Sequence, residues 1–220
     1  MKLHDVEQAR FNMIEQQVRP WDVSDSAVLQ LLSDVKREDF VPRSYKAMAF
    51  ADMAIPLPGQ QVMLAPRLQA RLLQDAAVQP TDKVLEIGTG SGFTTALLAR
   101  QAQRVISLEI NPELADLARA NLQRANIHNA EVRCADGALG AAAEAPFDLI
   151  LLGGSVTEVP PALLSQLKVG GRLVAVVGEE PIMHARVITR TSDTQFKTDE
   201  KWDDNAPPLV NFPQPSAFKF

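Results

Sequence analysis

Apolar positions along the chain follow two regimes. Up to about residue 80 they recur at helical spacing. Val6, Phe11, Met13, Ile14 and Val18 mark a loosely amphipathic helix over residues 5–19, stopped by Pro20. Ala27, Val28, Leu31, Leu32 and Val35 mark a second helix, with Asp22 or Ser24 as its cap and Pro42 as its close. Residues 38–66 carry Pro42, Pro56, Pro58 and Pro66 and lose the period, so they read as loop with short extended pieces. Leu68 to Ala77 resumes a helix.

From Lys83 onward, short apolar runs alternate with helical stretches. Strands are predicted over 83–87, 104–109, 130–134, 147–152 and 172–177. Helices are predicted over 93–101, from Asn111-Pro112 to about 125, and from Pro160 or Pro161 to 167. Such alternation means an α/β fold: a doubly wound, mostly parallel sheet with helices on both faces. Two more strands are expected near 184–191 and 195–202, followed by a proline-punctuated tail, NAPPLVNFPQPSAFKF. Residues 1–80 read as N-terminal helices and a covering loop, and 81–220 as the core, together one compact unit.

Composition narrows the function. The chain has 220 residues, 46% of them hydrophobic and 22% charged, enough for a sizeable core and against wholesale disorder. A net charge of −5 argues against a general nucleic-acid surface. No apolar run reaches the length of a membrane span, and the N-terminus is too polar for a signal peptide, so a cytoplasmic protein is expected. A single cysteine, Cys134, excludes a disulfide framework within the chain and is expected as a small buried strand residue. His4, His128 and His184 are scattered, which gives metal catalysis no footing.

The sharpest chemical signal is VLEIGTGSG, residues 84–92: a strand, a glycine turn and a helix start. Glycines let backbone approach a ligand closely, and a helix N-terminus offers free N–H groups. Dinucleotide binders want G-x-G-x-x-G, but the third glycine is displaced here by Phe93. The alternative cofactor is S-adenosylmethionine (SAM), and Glu86 suits its cationic groups. Candidate cofactor residues are therefore Glu86, Gly88, Thr89, Gly90, Ser91 and Gly92. Glu109 ends the next strand 21 residues after Gly88, with Ile110 beside it, and its carboxylate can accept from both ribose hydroxyls. Asp136, followed by Gly137, ends the third strand and can take the adenine amine. Amino methylation of bases commonly shows [DN]-P-P-[YF] after the fourth strand; LLGGS stands there instead. Trp21, Trp202 and Phe212 suit an apolar pocket or ordinary packing.

The chain resembles the protein-L-isoaspartate O-methyltransferase family of class I SAM-dependent methyltransferases. The resemblance runs from about residue 8 to 178 through MIEQQVRP, FVPR, AFADMAIPLPG, VLEIGTGSGF, APFDLILLGG and VPPALLSQLKVGGRLV. It implies SAM as cofactor, a Rossmann-like seven-stranded sheet, and N-terminal helices that help cover the substrate. In the family, the loop after PLP carries Thr and Ser hydroxyls that help hold the isoaspartyl carboxylate. Here the loop reads GQQVMLAP, with Val62 and Leu64 at those places, and no Ser or Thr lies between Tyr45 and Thr81. A lost hydrogen bond to a charged group costs about 1.5–3 kcal/mol. The missing hydroxyls thus favour a changed acceptor over isoaspartyl repair, and catalytic residues are not assigned. Substrate-loop candidates are Asp52, Leu64 and Ser155; Ser155 also reads as a helix or turn cap. The expected partner is a protein or small-molecule methyl acceptor, with no nucleic acid and no membrane; oligomeric state is not legible. The alternative function is a SAM-binding sensor or scaffold without turnover. The tail, residues 203–220, departs from the family's usual ending and is expected either to cross the pocket or to meet another subunit.

Overall fold

A computed structural model describes residues 3–213, with side chains from residue 5 onward. Residues 214–220 of the expected tail and the side chain of His4 lie outside that range. The N-terminal region carries α1 (Leu3–Met13) and α2 (Ser26–Asp34), joined through a π-helical turn at Ile14–Val18 and a 3-10 turn at Arg19–Trp21. The cap of α2 is neither Asp22 nor Ser24: Asp25 accepts from the Ala27 N–H at 2.8 Å. Pro42 does not close α2 either, which ends at Asp34 with a 3-10 turn following at Arg37–Asp39. Two short strands, β1 (Ile55–Pro56) and β2 (Val62–Met63), pair antiparallel across the proline-rich loop. Next comes α3 (Pro66–Ala76), starting two residues earlier than predicted because Pro66 suits the first helical turn.

The core follows as β3 (Lys83–Ile87), α4 (Phe93–Gln101), β4 (Arg104–Glu109), α5 (Pro112–Arg124), β5 (Ala130–Cys134), β6 (Phe147–Val156), α6 (Pro161–Leu164), β7 (Leu167–Glu179), β8 (Ile182–Arg190) and β9 (Phe196–Asp203). Seven strands form one sheet in the order β5-β4-β3-β6-β7-β8-β9. The first five are parallel, and β8 and β9 are added antiparallel. Strand order reverses at β3, so the crevice beyond the carboxyl ends of β3, β4 and β6 is where ligands bind in such sheets.

The two sheet faces are not covered alike. Val84, Val105, Leu149, Val174 and Val176 point to one face, into a cluster with Leu68, Leu72 and Leu73 of α3, Leu97 of α4, Leu114 of α5, and Val28 and Leu32 of α2. The N-terminal helices thus share a core with the sheet. Leu85, Ile106, Ile150 and Leu173 point to the other face. The helix expected there to residue 167 stops after one turn at Leu164, and β7 begins at Leu167, five residues earlier than predicted. That face is completed instead by Phe212 of the tail, which is buried in its cluster. Cys134, expected buried, is exposed, because β5 is the edge strand. A ladder joins the N-terminal region to β9: Arg67 lies 4.0 Å from the Trp21 ring centroid and Arg71 4.1 Å from that of Trp202. Trp202 Nε1 donates to Asp75 at 2.7 Å.

Candidate functional site

A cleft of about 60 Å³ opens at the carboxyl ends of β3, β4 and β6. Gly88, Gly90, Glu109, Ile110 and Gly137 line it on one side. Val62 of β2, Gly153 and Gly154 of β6, and Pro207 to Val210 of the tail line the other. A smaller cleft of about 20 Å³ continues from it past Val62, Gly88, Gly90 and Gly153 toward Leu64, Gln69, Thr89, Ser91, Phe93 and Thr94. Two glycines keep the floor low. A Cβ on Gly88, whose φ is +92°, would stand 2.9 Å from Leu209, and one on Gly153 would stand 2.5 Å from the Gly88 carbonyl oxygen.

Glu109 is buried at the cleft wall. Its Oε2 accepts from the Gly90 N–H at 2.8 Å and its Oε1 from the Asn111 N–H at 2.9 Å. A carboxylate offers about four lone-pair sites, so each oxygen keeps one for a ligand hydroxyl. That spare pair, set on a glycine floor, fits the two ribose hydroxyls of SAM.

Glu86 is placed differently from its sequence assignment. It is wholly buried and lines neither cleft. Thr95 and Ser107 hydroxyls donate to its Oε2 at 2.5 and 2.7 Å. Since Ser107 spends its one proton on Glu86, the 2.6 Å contact between Ser107 and Thr89 is donated by Thr89. Glu86 therefore reaches the glycine loop through Ser107 rather than touching the cleft. Burial pushes its carboxyl up to about 7, against these two hydrogen bonds, with the nearby Glu109 charge adding to the rise.

Gly92 caps α4 and lines neither cleft, and Thr89 and Ser91 line only the smaller one. Asp136 is exposed just outside: its Oδ1 accepts from the Ala138 N–H at 2.9 Å and its Oδ2 from the Asn211 side chain at 3.1 Å. Asp52 pairs with Arg67 at 3.0 Å, away from both clefts. Leu64 is buried in the core yet borders the smaller cleft, and its carbonyl accepts from Arg37 Nη2 at 2.8 Å. Ser155 is neither an available donor nor a helix cap. Its hydroxyl donates to the Ala206 carbonyl at 2.7 Å, its N–H to Pro207 at 2.8 Å, and its carbonyl accepts from Leu209 at 2.9 Å. These three bonds lay the tail across the cleft. Of the three aromatic candidates, Phe212 lines the cleft, while Trp21 and Trp202 belong to the arginine ladder.

Sequence reasoning missed Gln69 and Thr94, whereas the tail, expected to cross the pocket or to meet another subunit, lines the cleft with Pro207 to Leu209. Gln69 and Thr94 lie 25 residues apart with nothing in their spacing to link them. The sheet order, the glycine floor and the carboxylate ending β4 define a SAM-dependent methyltransferase of the Rossmann-like class. The family model for protein-L-isoaspartate(D-aspartate) O-methyltransferase matches residues 8–209, and the chain belongs to that family. It is 40% identical over 195 residues to a protein-L-isoaspartate O-methyltransferase of Koribacter versatilis, covering 89% of this chain and 87% of that one. It is 39% identical over 207 residues to protein-L-isoaspartate O-methyltransferase 2 of Marinobacter nauticus, covering 94% of each. A solved structure of a putative protein-L-isoaspartate O-methyltransferase from Plasmodium falciparum, in complex with S-adenosyl-L-homocysteine, shares the fold with a TM-score of 0.77. There the identity is 20%, and the likeness covers 92% of this chain and 97% of the other. Turnover is thus the family's property, and the reading as a non-catalytic sensor is not favoured. Among the described residues no helix is long and apolar enough to cross a membrane, and no group of three His, Cys, Asp or Glu could hold a metal.

Proposed function

We propose that this chain transfers the SAM methyl group to the free carboxylate of an isoaspartyl residue in a protein. One observation carries the choice of acceptor. Among the residues lining the two clefts, Glu109 is the sole titratable side chain, and both its oxygens already accept backbone N–H groups. A hydroxyl or amine acceptor needs a base to take its proton. A carboxylate, with a usual pKa of about 4, is ionised at neutral pH and needs none.

In this reading Glu109 holds the ribose hydroxyls, and the loop Gly88–Gly92 lies along the methionyl portion. Gly137 and Ile110 flank the adenine, and Asp136 at the rim takes its exocyclic amine. Glu86 supports the loop from beneath through Ser107 and Thr89. When bound, SAM supplies a methyl group activated by its sulfonium. A carbon–oxygen bond forms as the methyl–sulfur bond breaks, and no proton moves. What the chain contributes is alignment and exclusion of water. Val62, Leu64, Leu209 and Phe212 give the cleft apolar walls, which strengthen charge interactions inside it. The absence of hydroxyls from Val62–Leu64 pointed to a changed acceptor; the two relatives matched over most of their length are both protein-L-isoaspartate O-methyltransferases and support the unchanged one.

The test incubates the protein with labelled SAM and an isoaspartyl peptide, beside its normal aspartyl twin, and counts base-labile methyl ester. Ester on the isoaspartyl peptide alone is expected. Label on neither peptide, with SAM binding confirmed by calorimetry, would move the acceptor to another class.

A further inference from the structure

A polar relay that the sequence motifs do not include runs from a buried arginine to the wall of the smaller cleft. Arg37 is completely buried, and burial lowers its pKa to about 9, so it remains a cation at neutral pH. Its Nε donates to the Ala49 carbonyl at 2.9 Å and its Nη2 to that of Leu64 at 2.8 Å. The remaining Nη1 donates to Gln69 Oε1. A guanidinium has no acceptor, so the orientation of the Gln69 amide is fixed: its oxygen faces Arg37 and its nitrogen faces away. That nitrogen donates to Thr94 Oγ1 at 2.9 Å. Thr94 is therefore an acceptor in this contact, and its own proton is unspent on any described residue. Both Gln69, 4% exposed, and Thr94 line the cleft between the glycine loop and Leu64.

We propose that the Thr94 hydroxyl, aimed by Gln69 and Arg37, donates to a carboxylate oxygen in this cleft, doing the work the hydroxyl-free Val62–Leu64 loop cannot do. The proposal rests on the methyltransferase reading above. A hydroxyl backed by an amide and a buried cation is polarised toward donation, and hydrogen bonds in series reinforce one another. Such a donor suits an anion. The cleft is large enough for a water-sized group, hence for a carboxylate head rather than a whole side chain. Two carboxylates enter this region: the acceptor's own, and the α-carboxylate of the methionyl portion of SAM. The chemistry is shared, and the experiment separates the sources.

Thr94→Val removes the hydroxyl and keeps the shape. Calorimetry compares S-adenosylhomocysteine, which carries the α-carboxylate, with 5′-methylthioadenosine, which lacks it. Steady-state kinetics gives KM and kcat for the isoaspartyl peptide. A loss of about ten- to hundred-fold is expected in one constant only. Weakened S-adenosylhomocysteine with unchanged 5′-methylthioadenosine assigns Thr94 to the cofactor's carboxylate. Unchanged nucleoside affinities with a raised peptide KM assign it to the acceptor's. Equal loss for both nucleosides shows a merely structural role and overturns the proposal, as does no change anywhere. Thr94→Ser, which keeps the donor, restores the affected constant, and thermal unfolding verifies that each variant is folded. Should the unaltered protein leave the isoaspartyl peptide unmethylated, the acceptor assignment fails by itself, and the pair of nucleosides still decides the role of Thr94.

Discussion

The two sides of the cleft are built in opposite ways. On the proposed cofactor side, Gly88, Gly90, Glu109, Ile110 and Gly137 sit at or within three residues of the ends of three adjacent strands. On the proposed acceptor side, Leu64, Gln69, Thr94 and Leu209 come from α3 and its approach, the first turn of α4 and the tail. The first side depends on backbone geometry, which local sequence specifies. The second depends on side chains that meet only after the chain has folded. Under the proposal an apolar loop facing an anionic substrate is no contradiction, because Gln69 and Thr94 line the same small cleft as Val62 and Leu64.

The sharpest way to break this contrast is Arg37→Ala. It removes the cation behind Gln69 and leaves the Ala49 and Leu64 carbonyls unpaired. A loss of about 3–5 kcal/mol in urea-derived stability is expected, because buried acceptors are left without donors. An unchanged urea midpoint would mean that the acceptor side is not held from behind.

Glu86→Gln addresses the support beneath the cofactor side. In the folded protein its carboxyl titrates near 7 against an ordinary 4.5, so folding favours the protonated form. The associated stability is fully present below pH 4.5 and is lost as the pH rises to about 7. The loss amounts to about 3 kcal/mol at most. Unfolding free energies across that window should fall for the unaltered protein relative to Glu86→Gln, which carries no such titration. Parallel pH profiles would mean that Glu86 ionises in the folded protein as it does in the unfolded chain.

A smaller effect is expected at the cofactor wall. Glu109→Ala should weaken S-adenosylhomocysteine binding by about 1–3 kcal/mol, read by calorimetry, through lost ribose hydrogen bonds. Affinity within a factor of two would remove Glu109 from the cofactor site. Smallest of all is Ser155→Ala, which deletes one of the three bonds that lay the tail across the cleft. It should lower stability by about 1 kcal/mol and speed amide exchange at Leu209. Unaltered exchange there would mean that the two backbone bonds suffice.

The sequence by itself determined β3, α4, β4 and β5 to the residue: β3 and β4 are buried on both faces and leave mostly apolar runs, α4 leaves a helical period, and the edge strand β5 is bracketed by the turn before Ala130 and the Asp-Gly turn after Cys134. It also determined the glycine loop and the carboxylate at the end of β4, since each is a local device at a strand end. It misplaced the cap of α2, because Asp22, Ser24 and Asp25 are equally able caps and only packing chooses among them. It could not show that Glu86 lines neither cleft, since the Thr95 and Ser107 hydroxyls that take up its carboxylate come from a helix and a neighbouring strand 9 and 21 residues away. It read Ser155 as a substrate donor or a helix or turn cap, and neither reading reached the tail carbonyl that takes its proton, which lies 51 positions later. Tertiary structure alone decided the short α6, which of the two expected places the tail takes, and the relay from Arg37 through Gln69 to Thr94. Each is a meeting of distant segments, and the hydrogen bonds that join them have no period or spacing in the chain.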